Sequence, residues 1–191
     1  MARARLALAG KWELAVSTTL VYFVLMFVVG FVPLLPLVFG GPLALGLTIF
    51  SLSVLRNTNP HLEQVFEGFK RLSVSIVACL LMILYIFLWS LLFIVPGIVV
   101  AYSYAMVFYI IADDNTILAT DALRKSKQMM VGNKWKLFCL TCRFLGWIIL
   151  SFLTLGVGFL WLVPYMQVSF AEFYEEVKGG AITVETTSVA V

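Results

Sequence analysis

Charged residues are absent from three long hydrophobic stretches of the chain: residues 14–55, 72–112 and 144–171. A helix needs roughly 20 residues to cross the hydrocarbon core of a bilayer. The first two stretches are each long enough for two such helices, and the third reaches that length if it also includes Arg143. The pattern therefore predicts three pairs of membrane-spanning helices.

Glycine and proline mark a turn inside each stretch, because glycine lacks a side chain and proline lacks an amide donor. The turn residues are Pro33, Pro36, Gly40, Gly41 and Pro42, then Pro96 and Gly97, then Gly156 and Gly158. The predicted helices cover residues 12–33, 38–55, 71–93, 96–112, 135–154 and 158–176; Pro42 leaves open whether the second crosses fully. The predicted fold class is all-α: a polytopic transmembrane helical bundle of six helices, forming three hairpin repeats with short cytoplasmic amphipathic helices.

The positions of the cations predict the orientation of the bundle. Every Lys and Arg lies in the N-terminal tail, in residues 56–71, in residues 124–143, or at Lys178. Six crossings place these four segments on one side, and short loops rich in Lys and Arg stay in the cytoplasm. Both termini are therefore predicted to be cytoplasmic, with the run after Glu13 as an uncleaved first span because it is too long for a signal peptide.

Each predicted hairpin opens with a similar group of residues, which indicates an internal repeat. The three openings are Gly10-Lys11-Trp12, Gly68-Phe69-Lys70-Arg71 and Gly132-Asn133-Lys134-Trp135, in which a glycine allows a turn and a cation meets lipid head groups. We expect one transmembrane domain, residues 1–178, with repeats at about 10–67, 68–131 and 132–178. Residues 179–191 show no periodicity and are predicted to form a flexible cytoplasmic tail.

Two segments between the hairpins have the periodicity of amphipathic helices. The first starts near Asn59 and Pro60, which suit an N-cap and a first helical position, and its apolar residues are Leu62, Val65, Phe66 and Phe69. The second covers residues 116–130. Its apolar side holds Ala119, Ala122, Leu123, Met129 and Met130, and its polar side holds Asp121, Arg124, Lys125, Lys127 and Gln128.

Two interpretations of these segments remain open. They either cover the protein's own core or present a docking face to a protein partner or to anionic lipid. In the second case the candidate contact residues are Leu62, Phe66, Phe69, Arg124, Lys125 and Lys127.

The composition agrees with a protein whose main solvent is lipid. The chain of 191 residues is 62% hydrophobic and 12% charged, with a mean hydropathy of +1.04, whereas a soluble domain is about half apolar and a quarter charged. A net charge of +3 gives little reason to expect nucleic acid. Membrane lipids are the predicted partners, together with a candidate protein partner on the cytoplasmic side.

Reactive groups are sparse, so we predict neither enzyme activity nor a cofactor. His61 is the single histidine of the sequence, and nucleophilic catalysis needs a base beside a Ser or Cys. Asp113 and Asp114 form an isolated pair that suits the end of a helix. Cys139 and Cys142 have C-x-x-C spacing, for which helix packing and a metal or redox role both remain open.

Arg143 is the one ionisable residue predicted to lie well inside a span. Glu172 and Glu175 approach it from the last helix and could pair with it near the inner leaflet, because a buried guanidinium is costly without a carboxylate. Arg143 could instead reach the head groups with its long side chain. The alternative is a head-group site built on Arg143.

Several motifs together resemble the bacterial domain of unknown function 975 family of integral membrane proteins, over about Gly10 to Glu176. These motifs are Gly40-Gly41-Pro42-Leu43, Phe66-Glu67-Gly68-Phe69-Lys70, Trp89-Ser90, Ile94-Val95-Pro96-Gly97-Ile98, Gly132-Asn133-Lys134-Trp135-Lys136-Leu137 and Phe159-Leu160-Trp161-Leu162-Val163-Pro164-Tyr165. The chain is more distantly similar to the membrane domain attached to some glycerophosphodiester phosphodiesterases, without their catalytic domain. The resemblance implies a protein of the bacterial cell membrane and supplies no activity.

Two functions follow as hypotheses. The first is a non-enzymatic scaffold or accessory subunit, which the one-sided charge and the lack of reactive groups favour. The second is a carrier or binder of a lipid, peptide or other apolar compound, since repeats often flank a binding site near the middle of the membrane. A wide cavity that opens to the membrane would favour the second.

Overall fold

The computed structural model describes residues 7–8, 11–31, 35–154, 156 and 158–189. Predictions that rest on the N-terminal tail, on Gly10 or Pro33, or on the last two residues lie outside these ranges. Most of the described chain is α-helical, and the described ranges contain no strand. The all-α fold class is therefore confirmed.

The helices are named here in chain order. They are α1 (Trp12–Gly30), α2 (Leu35–Arg56), α3 (Gln64–Glu67), a 3-10 helix (Gly68–Arg71), α4 (Leu72–Leu92), α5 (Ile94–Tyr104), α6 (Val107–Asp113), α7 (Ala119–Met129), α8 (Lys134–Leu153) and α9 (Phe159–Val189).

Four segments of the described chain are long and apolar enough to cross a membrane: Val38–Arg56, Gln64–Leu91, Ile94–Asp113 and Lys134–Leu153. These helices indicate a membrane protein. The predicted arrangement of six spans in three hairpins is not confirmed. The apolar part described in α1, Trp12–Val28, is shorter than the four, and the predicted last span contains three glutamates.

Within the described residues, the turns predicted at Pro96-Gly97 and at Gly156 are present. Between α4 and α5 the backbone of Phe93 is extended, with φ −158° and ψ 144°, and Pro96 lies in the first turn of α5, where a missing amide donor costs nothing. Gly156 has a φ of +87° between α8 and α9, a conformation that favours glycine.

The prediction of a turn at Gly40 to Pro42 is wrong, because α2 runs through all three residues. Gly41 and Gly46 allow close packing instead. A Cβ added at Gly41 would lie 2.7 Å from the carbonyl oxygen of Ser75, and one added at Gly46 would lie 1.9 Å from that of Val65. Small residues allow this approach of backbones between membrane helices.

The fourth predicted span, residues 96–112, is interrupted between α5 and α6 at Ala105 and Met106. The hydroxyl of Ser126 in α7 donates a hydrogen bond of 2.8 Å to the carbonyl oxygen of Ser103. In a continuous helix that oxygen would accept from the amide of Val107. Insertion of a side chain into the hydrogen-bond ladder is a recognised cause of helix kinks.

The predicted N-cap at Asn59 is also wrong. Asn57 and Asn59 adopt positive φ values of 57° and 42°, which Asn tolerates better than most residues, and they close the loop after α2. The helix begins at Gln64, and its N-cap residue Glu63 makes no capping bond through its side chain.

Helix α7 matches its prediction closely. The five apolar residues expected on one side are buried, and the five polar residues expected on the other are exposed. Since the apolar side packs in the main core of the bundle, the interpretation that this helix covers the protein's own core is confirmed.

The helices pack tightly at one end of the bundle only. The core is formed by residues near the end of α2, by α6 and α7, by the start of α8 and by the middle of α9. In contrast, many large apolar residues of segments 83–99 and 145–153 are exposed. We call the packed end, which carries Arg56, Asp113 and Lys178, the charged end.

Helix α9 continues to Val189, and the flexibility predicted for residues 179–191 stays a prediction. Extending an existing helix gains one hydrogen bond for each residue fixed, whereas starting a helix is costly. The helix can therefore pass through Gly179 and Gly180 without a periodic apolar face.

Candidate functional site

A network of charged groups joins three helices at the charged end. Arg56, at the end of α2, donates from Nη2 to Asp113 Oδ1 at 2.7 Å and from Nε to Glu175 Oε1 at 2.7 Å. Asp113 also accepts hydrogen bonds from Lys178 and, at 3.2 Å, from the hydroxyl of Tyr174. The network therefore ties the ends of α2 and α6 to α9.

Arg71 holds the loop that follows α6. Its guanidinium donates to the carbonyl oxygens of Ile111, Asp114 and Ile117 at 2.9, 2.8 and 3.1 Å. Carbonyls at a helix end have no partner within the helix, and a cation near them is favourable. Arg71 therefore binds protein, whereas the sequence pattern assigned the cations of this segment to lipid head groups.

Asp114 stabilises the same loop. Its carboxylate accepts hydrogen bonds from the hydroxyl and the backbone amide of Thr116, at 2.7 and 2.9 Å. These bonds lower the pKa of the Asp114 carboxyl from its usual value, because they favour the charged form.

A large cavity lies between α1, α8 and α9, and we call it the groove. Its volume is about 730 Å³, within the range of sites that hold small molecules. Five aromatic residues line it: Trp12, Phe144, Trp147, Trp161 and Tyr165. Among the described residues, the one charged side chain that lines it is that of Arg143.

The groove has a closed floor and an open side. Phe144 and Leu162 are buried in its floor, with 0% and 7% of their surface exposed. Trp147, Leu150 and Trp161 form its rim and are 56%, 52% and 53% exposed. The groove therefore opens between apolar side chains rather than toward the charged end.

A second cavity of about 460 Å³, which we call the crevice, lies between α8 and α9 nearer the charged end. Its lining includes Lys136, Arg143, Glu172 and Glu176, and Lys136 Nζ lies 3.7 Å from Glu176 Oε1. Arg143 lines both cavities, so an apolar groove and a polar crevice meet at its side chain.

The three residues of the predicted ion-pair or head-group site are only partly brought together. Arg143 and Glu172 line the same crevice. Glu175 instead bonds to Arg56, because it lies on the side of α9 that faces α2. The prediction that Glu175 is part of the Arg143 site is not supported by these contacts.

The residues predicted for a docking surface lie in two places. Leu62 and Phe66 are 39% and 50% exposed, and the ring of Phe69 lies 5.8 Å from that of Phe39. Lys125 and Lys127 are exposed on α7, while Arg124 Nη2 lies 3.8 Å from Asp121 Oδ1.

Sequence reasoning missed the network at Arg56 and treated Asp113 as isolated. Arg56 and Asp113 each directly follow a long apolar stretch. That shared position was the sequence signal that could have indicated the network. The C-x-x-C pair, Cys139 and Cys142, is exposed on α8 with free thiols. Among the described residues, no group of three His, Cys, Asp or Glu could hold a metal ion.

The fold and its cavities define a helical protein that has four helices long and apolar enough to cross a membrane, and an aromatic groove between α1, α8 and α9. Residues 91–181 match the model of a family described as a protein of unknown function, DUF975. The matched region, which is similar to this family, includes the Pro96-Gly97 turn, α7, α8, the groove residues of α9 and the crevice. No curated protein and no solved structure matches the chain. The similarity to the membrane domain of glycerophosphodiester phosphodiesterases stays a prediction.

Proposed function

We propose that this chain is a non-enzymatic protein of the bacterial cell membrane that binds a bilayer amphiphile in the groove. The observation that supports the proposal is the groove itself: about 730 Å³ of space lined by aromatic side chains, with an exposed apolar rim. A lipid chain could enter through that rim without meeting water, and its apolar surface would be buried against aromatic faces.

The charge at Arg143 favours an amphiphile over a purely apolar compound. Arginine carries five N–H donors in a planar fork, and it is placed where the groove meets the crevice. A ligand with a polar group at one end would match both cavities. This is why the binder hypothesis now has more support than the scaffold hypothesis that the sequence favoured.

The test fills the groove and compares that change with a matched one outside it. Leu150→Trp adds bulk at the rim, whereas Ile149→Trp adds it to a neighbouring residue of α8 with similar exposure, 58% against 52%, that does not line the groove. Native mass spectrometry of the protein, purified in mild detergent, would measure retained lipid. We expect the wild type and Ile149→Trp to retain lipid and Leu150→Trp to lose most of it.

Two results would contradict the proposal. One is a wild-type protein that retains no lipid under conditions that preserve its fold by circular dichroism. The other is equal lipid retention by the two tryptophan variants, which would show that the bound lipid lies elsewhere on the apolar surface.

A docking role is a second candidate function, favoured by the exposed polar face of α7. Lys125 and Lys127 are exposed on this face. Neither forms an ion pair with a carboxylate of the described residues, whereas the neighbouring Arg124 pairs with Asp121. Binding of the wild type to a cytoplasmic partner, lost in a Lys125→Gln, Lys127→Gln double variant and unchanged in Leu150→Trp, would support it.

We also propose that the charged end faces the cytoplasm, because its loops carry the cations. In a variant without the three native cysteines, single cysteines at Thr58 and Lys125 should react with a membrane-impermeant thiol reagent only when the inner face is accessible. If the two positions were labelled from opposite faces of the membrane, the proposal that both face the cytoplasm would be refuted.

A further inference from the structure

The groove and the crevice together present apolar and charged surfaces in a fixed order. Tyr165 of α9 lines the groove, whereas Glu172 and Glu176, further along the same helix, line the crevice. On α8, Arg143 lies between Trp147 in the groove and the crevice residues nearer the charged end. An amphiphile with its chain in the groove would therefore place its polar group at Arg143 and beyond.

The crevice contains charges of both signs. Lys136 and Arg143 are cations, and Glu172 and Glu176 are anions. A head group with a net negative charge would gain at Arg143 but would meet two carboxylates further out. A head group with both charges can satisfy the two halves of the crevice.

The order of the charges also fits one class of head group. The cation Arg143 borders the apolar groove, whereas Glu172 and Glu176 line only the crevice, with Glu176 about one helical turn beyond Glu172. In an ethanolamine phospholipid, the phosphate likewise adjoins the glycerol and acyl chains, and the ammonium is at the outer end. Arg143 can bond to a neighbouring carboxylate and still donate to phosphate, because the guanidinium has several N–H groups.

We propose that the amphiphile bound in the groove is a zwitterionic phospholipid with a primary ammonium, held at its phosphate by Arg143 and at its ammonium by Glu172. The inference rests on the proposed function, since it names the ligand class of the same groove. A choline head group carries the same charges but has no N–H donor for a carboxylate. Comparing the two lipids therefore separates the effect of hydrogen bonding from the effect of charge.

The experiment offers the purified full-length protein three lipids with identical acyl chains: phosphatidylethanolamine, phosphatidylcholine and phosphatidylglycerol. Native mass spectrometry measures the bound fraction of each in competition. We expect the ethanolamine lipid to be preferred by about tenfold over the other two, the factor that corresponds to ~1.4 kcal/mol. Inorganic phosphate in excess should not displace it, because phosphate lacks the chain that fills the groove.

Two variants assign the preference to the crevice. Glu172→Gln should remove the advantage of ethanolamine over choline, and Arg143→Gln should lower the binding of all three phospholipids relative to diacylglycerol with the same chains. Glu63→Gln, at an exposed residue outside the crevice, is the matched control and should leave the preference unchanged.

The comparison of lipids on the wild type keeps the inference testable if a variant fails to fold. Equal binding of the ethanolamine and choline lipids, or a preference for phosphatidylglycerol, would overturn it. If Leu150→Trp still abolished lipid binding in that case, the proposed function would stand and only the inference about the head group would fail. A lipid-free dimer of the wild type would overturn both, because a second copy would then cover the groove.

Discussion

At Gly46, α2 comes very close to the segment that precedes α4. A Cβ built there would lie 1.9, 2.6 and 2.8 Å from the carbonyl oxygen, carbonyl carbon and Cα of Val65. All three atoms belong to the backbone, so no side-chain rotation can make room. The Gly46→Ala variant would require α2 and α3 to separate by roughly 1 Å in a closely packed interior.

The cost follows from that separation. Overpacking of a filled core costs about 1–3 kcal/mol and occasionally more, and a gap of ~0.5–1 Å already removes a quarter to a half of the dispersion attraction at the surfaces it separates. Val65 and Leu45 are fully buried beside this contact. We therefore expect Gly46→Ala to lower the free energy of unfolding by about 3 kcal/mol, the upper end of that range.

Two other glycines of α2 provide matched controls. A Cβ at Gly40 would meet nothing within 4 Å, whereas a Cβ at Gly41 would lie 2.7 Å from the Ser75 carbonyl oxygen. Gly40→Ala should be neutral or stabilising by up to ~1 kcal/mol, because alanine favours the helix. Gly41→Ala should fall between the other two.

The assay is unfolding of the detergent-solubilised protein by an increasing mole fraction of sodium dodecyl sulfate, followed by circular dichroism. The expected order of stability is Gly40→Ala, then Gly41→Ala, then Gly46→Ala. Equal stability of Gly40→Ala and Gly46→Ala would refute the close approach of α2 and α3, and with it the packing role assigned to Gly46.

Three further substitutions, two of them with a matched control, test other contacts; the first two use the same unfolding assay and the third uses hydrogen exchange. Asp113→Asn should lower the free energy of unfolding by about 1–2 kcal/mol, because Asn keeps the shape but loses the charge that its cationic partners need, and partial exposure weakens the effect. Asp121→Asn, at an exposed ion pair, should lower it by at most ~0.5 kcal/mol. Ser126→Ala should cost about 1 kcal/mol by removing the bond between helices, whereas Ser169→Ala, whose hydroxyl bonds within its own helix, should change less. Arg71→Gln should speed hydrogen exchange in residues 111–117, and unchanged exchange would contradict its role there.

The parts of the fold that the sequence predicted are those decided locally. Helix α7 was placed correctly because its buried and exposed residues alternate with the helical period along eleven residues. The turns at Pro96 and at Gly156 were predicted because these residues interrupt helices with little help from distant contacts. The same reasoning failed at Gly40 to Pro42, where Gly41 approaches a neighbouring backbone and the helix continues without a turn.

The remaining features depend on contacts between residues far apart in the chain. The hydrogen bond at the break after Tyr104 comes from Ser126, and the two partners of Arg56 lie in two other helices. Glu172 and Glu175 are three residues apart, so they lie on neighbouring sides of α9, and only the packing shows which helix each side meets. The groove was likewise not predictable, because an unfilled volume depends on how several helices diverge.

The bond network at the charged end also constrains the order in which the protein can mature. The ribosome delivers Arg56 long before Asp113, and Asp113 well before Glu175 and Lys178. Because chains emerge from the N-terminus, Arg56 of α2 can pair with Asp113 of α6 first, and Glu175 and Lys178 complete the network only when the last helix arrives. A nascent chain that stops short of α9 would thus expose a charged helix end to the quality-control machinery, and completion of synthesis would hide it.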